Sequence, residues 1–315
     1  MDPGFRGDEE MELLKKYKIG VLAGGSSSER EISLKSGKAV FRAFKGRDLN
    51  VVFLDVEEKD FESLIKRSEI DLAFIALHGN FGEDGTVQKW LTSKKIPHTG
   101  SGPKASRLAF DKAESKKMFK NAGIIIPEYE EIKTENDAAS LRIMPPYVVK
   151  PRKEGSSIGL SVALSREKLK GAVNKALKFG PGVIVERFIP GREITVGILD
   201  EKALPVVEIV PEDNIYDFHS KYSSDRTEYI VPARLGGGLY NKAQEEGLKA
   251  HNILGCEGFS RVDMIVSDDN NIFVLEVNTI PGLTERSLLP MAAKEDGMDF
   301  SELCVKMLQI ALGNK

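Results

Sequence analysis

Only two cysteines, Cys256 and Cys304, occur among the 315 residues. They have neither metal-ligand spacing nor the density of a disulfide framework, which points away from zinc modules and stapled secreted scaffolds and towards a reducing cytosol. No stretch approaches the roughly 20 apolar residues of a membrane span. The leading MDPGFRGDEE lacks the apolar run of a signal peptide, so residues 1–10 read as a disordered tail or cloning remnant, with Met11 a second candidate start. Charge of one sign is not in excess. The 45 basic and 48 acidic residues leave a formal −3, which gives no reason to expect nucleic acid as a partner. Two phosphate-loop signatures are missing, G-x-x-x-x-G-K-[ST] and G-x-G-x-x-G, which argues against P-loop nucleotidases and dinucleotide oxidoreductases.

What is present is length, alternation and an adequate apolar fraction. At 315 residues and 41% apolar content, two or three domains are expected. From Lys18 to Thr99 apolar runs (KIGVLA, NVVFLDV, DLAFIAL) alternate with helical stretches, the pattern of a parallel sheet with βαβ crossovers. A helical stretch is expected over AFDKAESKKMFKNAG, ended by Gly123 as a C-cap candidate. IIIPEYEEI, PPYVVKP and GVIVERFI with one helix between them read as a small α+β unit, its proline-bracketed strand suiting an edge or a domain boundary. Beyond Glu193 strands dominate, flanked by helices at Lys242–Leu254 and Phe300–Leu312.

One strand pair carries chemistry. SRVDMIVSDDNNIFVLEVN reads as an antiparallel hairpin turning at Asp268–Asn271. That register sets Asp263 opposite Glu276 and Arg261 opposite Asn278. It leaves Val262, Met264, Val266, Phe273, Leu275 and Val277 on the other face. Facing carboxylates repel unless a cation lies between them. Oxygen ligands alone suit Mg²⁺ or Mn²⁺, which usually share their shell with substrate phosphates. The plainer alternative is that Arg261 bridges the two carboxylates on a solvated face.

Three loops offer partners for phosphate or substrate. VVKPRKEGSSIGLS supplies Lys150 and then Gly155-Ser156-Ser157-Ile158-Gly159, whose N–H and hydroxyl groups suit phosphate oxygens. A plain hairpin loop is the competing account. LAGGSSSEREIS lies at the carboxyl edge of the first parallel strand, where such sheets bind ligands. Its Ser26…Glu29 and Ser28…Glu31 spacings also fit a capping box. LHGNFGEDGT places His78, Glu83 and Asp84 among glycines on the same edge, for binding or for holding the turn.

Taken in order, GGSSSEREISLKSG, ALHGNFGEDGTVQ, YVVKPRKEGSSIG, SKYSSDRTEY, SRVDMIV and LEVNTIPGLTERSLLPMAA resemble the D-alanine–D-alanine ligases of the ATP-grasp superfamily. The resemblance runs over nearly the whole chain after Met11. It implies an ATP-grasp fold: an N-terminal parallel-sheet α/β domain (11–100), then two α+β domains (101–190 and 191–315) that clamp ATP. It implies two D-alanines and ATP as partners, two Mg²⁺ or Mn²⁺ ions, a cytoplasmic homodimer and a product used in the bacterial cell wall.

The same resemblance distributes roles. Asp263, Glu276 and Asn278 would hold metal, and Lys112, Lys150, Ser156, Ser157 and Lys221 would meet phosphates. Glu186 and the Phe188–Ile189 backbone would meet adenine, with Glu193 on the ribose. Arg261 and the Gly282 N–H would form an oxyanion hole. Glu29 would bind the first D-alanine's ammonium beside His78, while Ser287 and the Leu288 N–H hold the second carboxylate. Ser156 and Tyr222 would hydrogen-bond with Glu29 and close the site. Two rivals accompany this reading: a ligase joining D-alanine to D-lactate, which Tyr222 argues against, and a nucleotide-binding module without turnover.

Overall fold

The computed structural model describes residues 11–210 and 227–313. Its first sheet is parallel, in the order β2-β1-β3, from Ile19–Gly24 (β1), Val51–Val56 (β2) and Leu72–Ile75 (β3). Helices Arg30–Lys45 (α1), Phe61–Ser68 (α2) and Thr86–Ser93 (α3) supply the crossovers. All six residues of β1 are buried, as expected of a strand covered on both faces. One covering layer is α1. Distant sequence joins it on that face, where Leu303, Leu308 and Ile310 share a core with Val21, Phe44 and Phe74, while Phe61 and Ile65 of α2 and Val87 and Leu91 of α3 pack with Leu22 and Ile75 on the other.

The closeness of α1 to β1 depends on Gly37. A Cβ there would lie 2.4 Å from the Ala23 Cβ and 3.2 Å from the Phe53 ring. Gly37→Val therefore overpacks the joint and should cost about 1–3 kcal/mol, read as a lower denaturation midpoint in urea at unchanged slope.

The helical stretch expected here is Lys112–Asn121 (α5), except that its first two residues end the preceding helix, Pro103–Phe110 (α4). Asp111 breaks it: its backbone is extended (φ −88°, ψ 97°) and its carboxylate accepts the Ala113 and Glu114 N–H groups, capping α5. Gly123 follows at φ +71°, as a helix stop requires. The second sheet is antiparallel, in the order β4-β7-β5-β6: Tyr129–Ile132 (β4), Tyr147–Pro151 (β5), Ser161–Ala163 (β6), Val183–Arg187 (β7). Arg166–Leu177 (α6) packs on it. Of the two places that suit the proline-bracketed strand, the edge is not taken: β5 lies inside, paired with both β7 and β6. Its prolines sit before the strand and at its last residue, where few ladder donors are lost.

The third sheet runs β11-β10-β8-β12-β13, with Lys202–Ala203 (β9) paired to β8. Its strands are Gly191–Leu199 (β8), Val207–Val210 (β10), Glu228–Ile230 (β11), Phe259–Ser267 (β12) and Ile272–Asn278 (β13). Gly237–Ile253 (α7), Leu288–Glu295 (α8) and Phe300–Gly313 (α9) complete the chain. The architecture is α/β and α+β, as the strand pattern predicts.

The hairpin β12–β13 keeps the expected register at its functional end: Arg261↔Asn278, Val262↔Val277, Asp263↔Glu276. Beyond it the pairing shifts to Met264↔Val274, Ile265↔Phe273 and Val266↔Ile272. Leu275 is the extra residue, a β-bulge. The core face is consequently Val262, Met264, Val266, Ile272, Val274 and Val277, and Phe273 and Leu275 leave it. The bulge turns Leu275 to the same side as Glu276, and both line a cavity. Bulges near functional groups re-aim side chains in this way.

Candidate active site

A cavity of about 520 Å³ separates the second and third sheets. Val148, Leu160, Ile209, Ile265 and Leu275 give it apolar walls, while Lys112, Lys150, Asp263 and Glu276 bring charge to it. Glu186, Phe188, Ile189, Glu193 and Ser157 line it as well.

Asp263 is 3% exposed and fully engaged. Arg261 donates to both of its oxygens through a fork (2.8 and 2.8 Å). The Thr195 hydroxyl (2.7 Å) and the Asn278 amide (3.0 Å) donate to it as well. Glu276 pairs instead with Lys112, at 3.4 Å. Arg261 thus spends its fork on Asp263, and Lys112 stands against Glu276. Among the described residues no group of three or more His, Cys, Asp or Glu is arranged to hold a metal. The protein offers two facing carboxylates and one amide, all oxygen donors. This set fits a hard divalent ion that takes its remaining ligands from phosphate.

Lys112 is placed by its helix start. Asp111 caps α5 and receives a fork from Arg152 at 2.6 and 2.8 Å, tying the helix to the end of β5. The Lys112 ammonium then donates to the Glu154 carbonyl at 2.5 Å. Lys150 projects from β5, 3.0 Å from Glu186. Glu186 is 2% exposed and also pairs with Lys116 at 2.8 Å. Burial opposes its ionisation, but the two lysines outweigh burial and hold its carboxyl below the usual range. Lys116 was not foreseen as part of the site. Its spacing, one helical turn past Lys112, is the only signal the sequence offers.

The Phe188 N–H is spent on the Pro146 carbonyl (2.9 Å), so a purine edge would have to meet the Phe188 carbonyl and the Ile189 N–H. The paired serines diverge, both with left-handed backbones (φ 49° and 57°). Ser157 faces the cavity, whereas the Ser156 hydroxyl donates to Glu29.

Glu29 is 4% exposed. It stands at the N-terminus of α1 without capping it, so the capping-box account of its position fails. The Gly155 and Gly79 backbones close around its carboxylate, since a Cβ at either would come within 2.6 or 2.9 Å of Oε2. That buried Oε2 has no hydrogen-bond partner among the described residues. Burial pushes the Glu29 carboxyl up, and the Ser156 hydrogen bond opposes the rise. An arriving ammonium would supply the missing partner.

His78 stands beside the loop carrying Gly282. Its Nε2 lies 3.2 Å from the Ser36 hydroxyl, which accepts the Leu283 N–H at 3.2 Å. Glu83 accepts the Gly79 N–H at 2.7 Å, and Asp84 accepts from Phe81 and Thr86 (3.0 and 2.9 Å), so these acids fold the loop. Burial, with Glu29 nearby, pushes Glu83 up to about 8.

The Ser287 hydroxyl accepts the Thr284 N–H at 3.0 Å and shares a bond with the Thr284 hydroxyl. Ser287 also precedes α8, whose first residue is Leu288, so unpaired N–H groups gather there. A Cβ on Gly282 would lie 3.2 Å from the Ser287 hydroxyl, so Gly282, Ser287 and Leu288 form one cluster. Lys221 and Tyr222 lie outside the described residues.

Burial lowers the His78 pKa to about 4, against a smaller opposing effect from the Ile280 backbone. A depressed histidine stabilises the fold above its unfolded value of about 6.5, and the contribution is lost as pH falls towards 4. From pH 7 to 5 the loss should be about 2 kcal/mol for this group. Urea denaturation at the two pH values checks it: His78→Asn should remove that part of the acid sensitivity. His251, also lowered to about 4 by burial, retains its own.

Comparison with known proteins follows the same lines. The family profile described as D-ala D-ala ligase C-terminus matches residues 118–309, and D-ala D-ala ligase N-terminus matches 58–101. The chain is 45% identical to D-alanine–D-alanine ligase from Geotalea uraniireducens over 303 residues, covering 96% of this chain and 97% of that one. It is also 45% identical to the enzyme of the same name from Geobacter sulfurreducens, with 94% of each covered. Among solved structures it resembles D-alanine–D-alanine ligase from Bacillus anthracis complexed with ATP. That match has a TM-score of 0.83, 33% identity, and covers 94% of this chain and 97% of that one. VanG D-Ala:D-Ser ligase from Enterococcus faecalis aligns at a TM-score of 0.80 with 28% identity, over 93% of this chain and 98% of that one.

Proposed function

The chain belongs to the D-alanine–D-alanine ligase family, of ATP-grasp fold, and from that premise we propose how its residues divide the work of joining two D-alanines with ATP. The enzyme makes D-alanyl-D-alanine for cell-wall synthesis. The observation that carries the assignment of residues is the meeting of three features around one cavity. These are the lysines of α5 and β5, the facing carboxylates of the hairpin, and beyond the Gly/Ser loop the buried Glu29 oxygen that lacks a partner.

Joining a carboxylate to an amine in water is uphill, so the carboxylate is first activated. One D-alanine carboxylate attacks the γ-phosphorus of ATP, forming an acyl phosphate and releasing ADP. The amine of the second D-alanine adds to the acyl carbon, and phosphate leaves as the C–N bond is completed. Both steps gather negative charge, so positioning and electrostatics do most of the catalysis.

Glu29 holds the first substrate's ammonium, with Ser156 fixing the Glu29 carboxylate. Lys112 and Lys150 draw the phosphates in, and Lys221 joins them at the γ-phosphate. Asp263, Glu276 and Asn278 would hold Mg²⁺ or Mn²⁺, in our reading two ions, which when bound supply positive charge to the phosphate oxygens. Glu186, the Phe188 carbonyl and the Ile189 N–H serve the purine, and Glu193 serves the ribose. Arg261 and the Gly282 N–H face the oxyanion of the tetrahedral intermediate. The N–H groups at the start of α8, with Ser287, take the second carboxylate, a favoured place for an anion. Tyr222 helps close the loop over the acyl phosphate, which water would otherwise hydrolyse.

We divide the chain at 11–100, 101–190 and 191–315, and place it in the cytoplasm as a homodimer. Among the described residues no helix is long and apolar enough to cross a membrane.

The test is phosphate release from ATP with no amino acid, with D-alanine alone, and with D-lactate or D-serine as acceptor. Release should require D-alanine, and D-alanyl-D-alanine should be the main product. Release that ignores D-alanine would overturn the assignment, and a depsipeptide product would favour the D-lactate reading.

A further inference from the structure

Lys116 is among the largest fully buried side chains of the protein, at 0% exposure. It stands on α5 one turn beyond Lys112, behind the cavity wall. Its ammonium is 2.8 Å from Glu186 Oε1 and 5.6 Å from the centre of the Tyr129 ring. The same Oε1 is 3.0 Å from the Lys150 ammonium. Lys150 and Glu186 line the cavity, and Lys116 does not. Two buried ammonium groups thus share one carboxylate, and the trio carries one net positive charge.

Packing does not account for this. A methionine would fill a similar volume without the cost of taking an ammonium out of water. Burial indeed lowers the Lys116 pKa, against the pull of Glu186. Nor does Glu186 need both lysines in order to be paired. With Lys150 alone, however, the pair would be neutral, and Glu186 would cancel the charge that Lys150 brings to the cavity.

We propose that Lys116 is a positioning residue for nucleotide binding: it neutralises Glu186 from behind, so that the charge of Lys150 acts on the nucleotide phosphates. The inference rests on the reading of this cavity as the ATP site. Lys116 itself touches no substrate.

The test reads Kd by titration calorimetry at fixed salt, for Mg–ATP and for adenosine, which carries no phosphate. Lys116→Met makes the trio neutral and should weaken Mg–ATP binding about five- to tenfold, the effect of one charge at several ångströms in a partly screened site. Its adenosine Kd should move less than about twofold, and Lys116→Arg, which keeps the charge, should bind Mg–ATP within about threefold of the parent. KM for D-alanine should move less than about twofold throughout, because Glu29 binds that substrate elsewhere. A purely structural Lys116 predicts otherwise: adenosine and Mg–ATP weaken alike. That result overturns the proposal. Should Lys116→Met fail to fold, Lys116→Gln carries the same comparison. If the parent binds no ATP, the reading of the cavity fails instead, and the two failures are told apart.

Discussion

Glu276→Gln should lower kcat by about a hundred- to a thousandfold, the equivalent of several kcal/mol of charge stabilisation, while KM for D-alanine stays within about threefold. The amide keeps the shape of the carboxylate, so Val262, Val274 and Val277 continue to pack on the core face and the fold is retained. What is lost is one of two negative charges set directly opposite each other across β12 and β13. Lys112, 3.4 Å away, loses its counter-ion, and on the proposed assignment the phosphate side loses its metal anchor. The same assignment gives the first substrate's ammonium to Glu29 in another part of the site, which is why binding and turnover should separate. The apparent Mg²⁺ requirement should rise in parallel. A kcat within a few-fold of the parent at saturating Mg²⁺ would contradict the metal role.

Arg261→Met is expected to be as severe, for two reasons that can be measured apart. The oxyanion donor is gone, which should cost about 10²–10³ in kcat. The Asp263 carboxylate, 3% exposed, also loses both bonds of the fork while keeping those from Thr195 and Asn278. Breaking a buried pair from one side destabilises by about 3–5 kcal/mol, so the denaturation midpoint should fall as well. Rates normalised to folded protein isolate the catalytic part. Arg261→Lys keeps the charge and loses the fork. It should recover much of the stability and less of the rate. A folded Arg261→Met enzyme with near-parental kcat would remove Arg261 from the oxyanion hole.

The hairpin shows what sequence patterning reveals and where it stops. Strict alternation from Arg261 to Asp263 and from Glu276 to Asn278 makes the facing pair legible, and the register holds there. Alternation does not mark an inserted residue, so the bulge at Leu275 was invisible. Leu275 and Ile265 are apolar because they wall a cavity, and in sequence an apolar wall looks like core. Asp111 was hidden for a similar reason. Inside an apparently continuous helix an aspartate reads as a surface residue, although here it caps a new helix and holds Arg152. Lys116 lies among Lys112, Lys117 and Lys120 in a stretch that reads as solvated, and only the tertiary placement of Glu186 separates it from them. Glu29 was the opposite case. The loop at the carboxyl edge of β1 marked its place, but the choice between cap and ligand required seeing Ser156 and Gly155 close over it.

The central claim is that ATP activates the first D-alanine at its own carboxylate. D-alanine carrying heavy oxygen in both carboxylate positions, turned over with ordinary ATP, tests it in one step. Attack on the γ-phosphorus makes the acyl C–O–P bridge from a labelled oxygen, and departure of phosphate cleaves it on the carbon side. The account therefore predicts one heavy oxygen atom in each phosphate released, seen by mass spectrometry. Phosphate carrying only ordinary oxygen, formed along with the dipeptide, would contradict it.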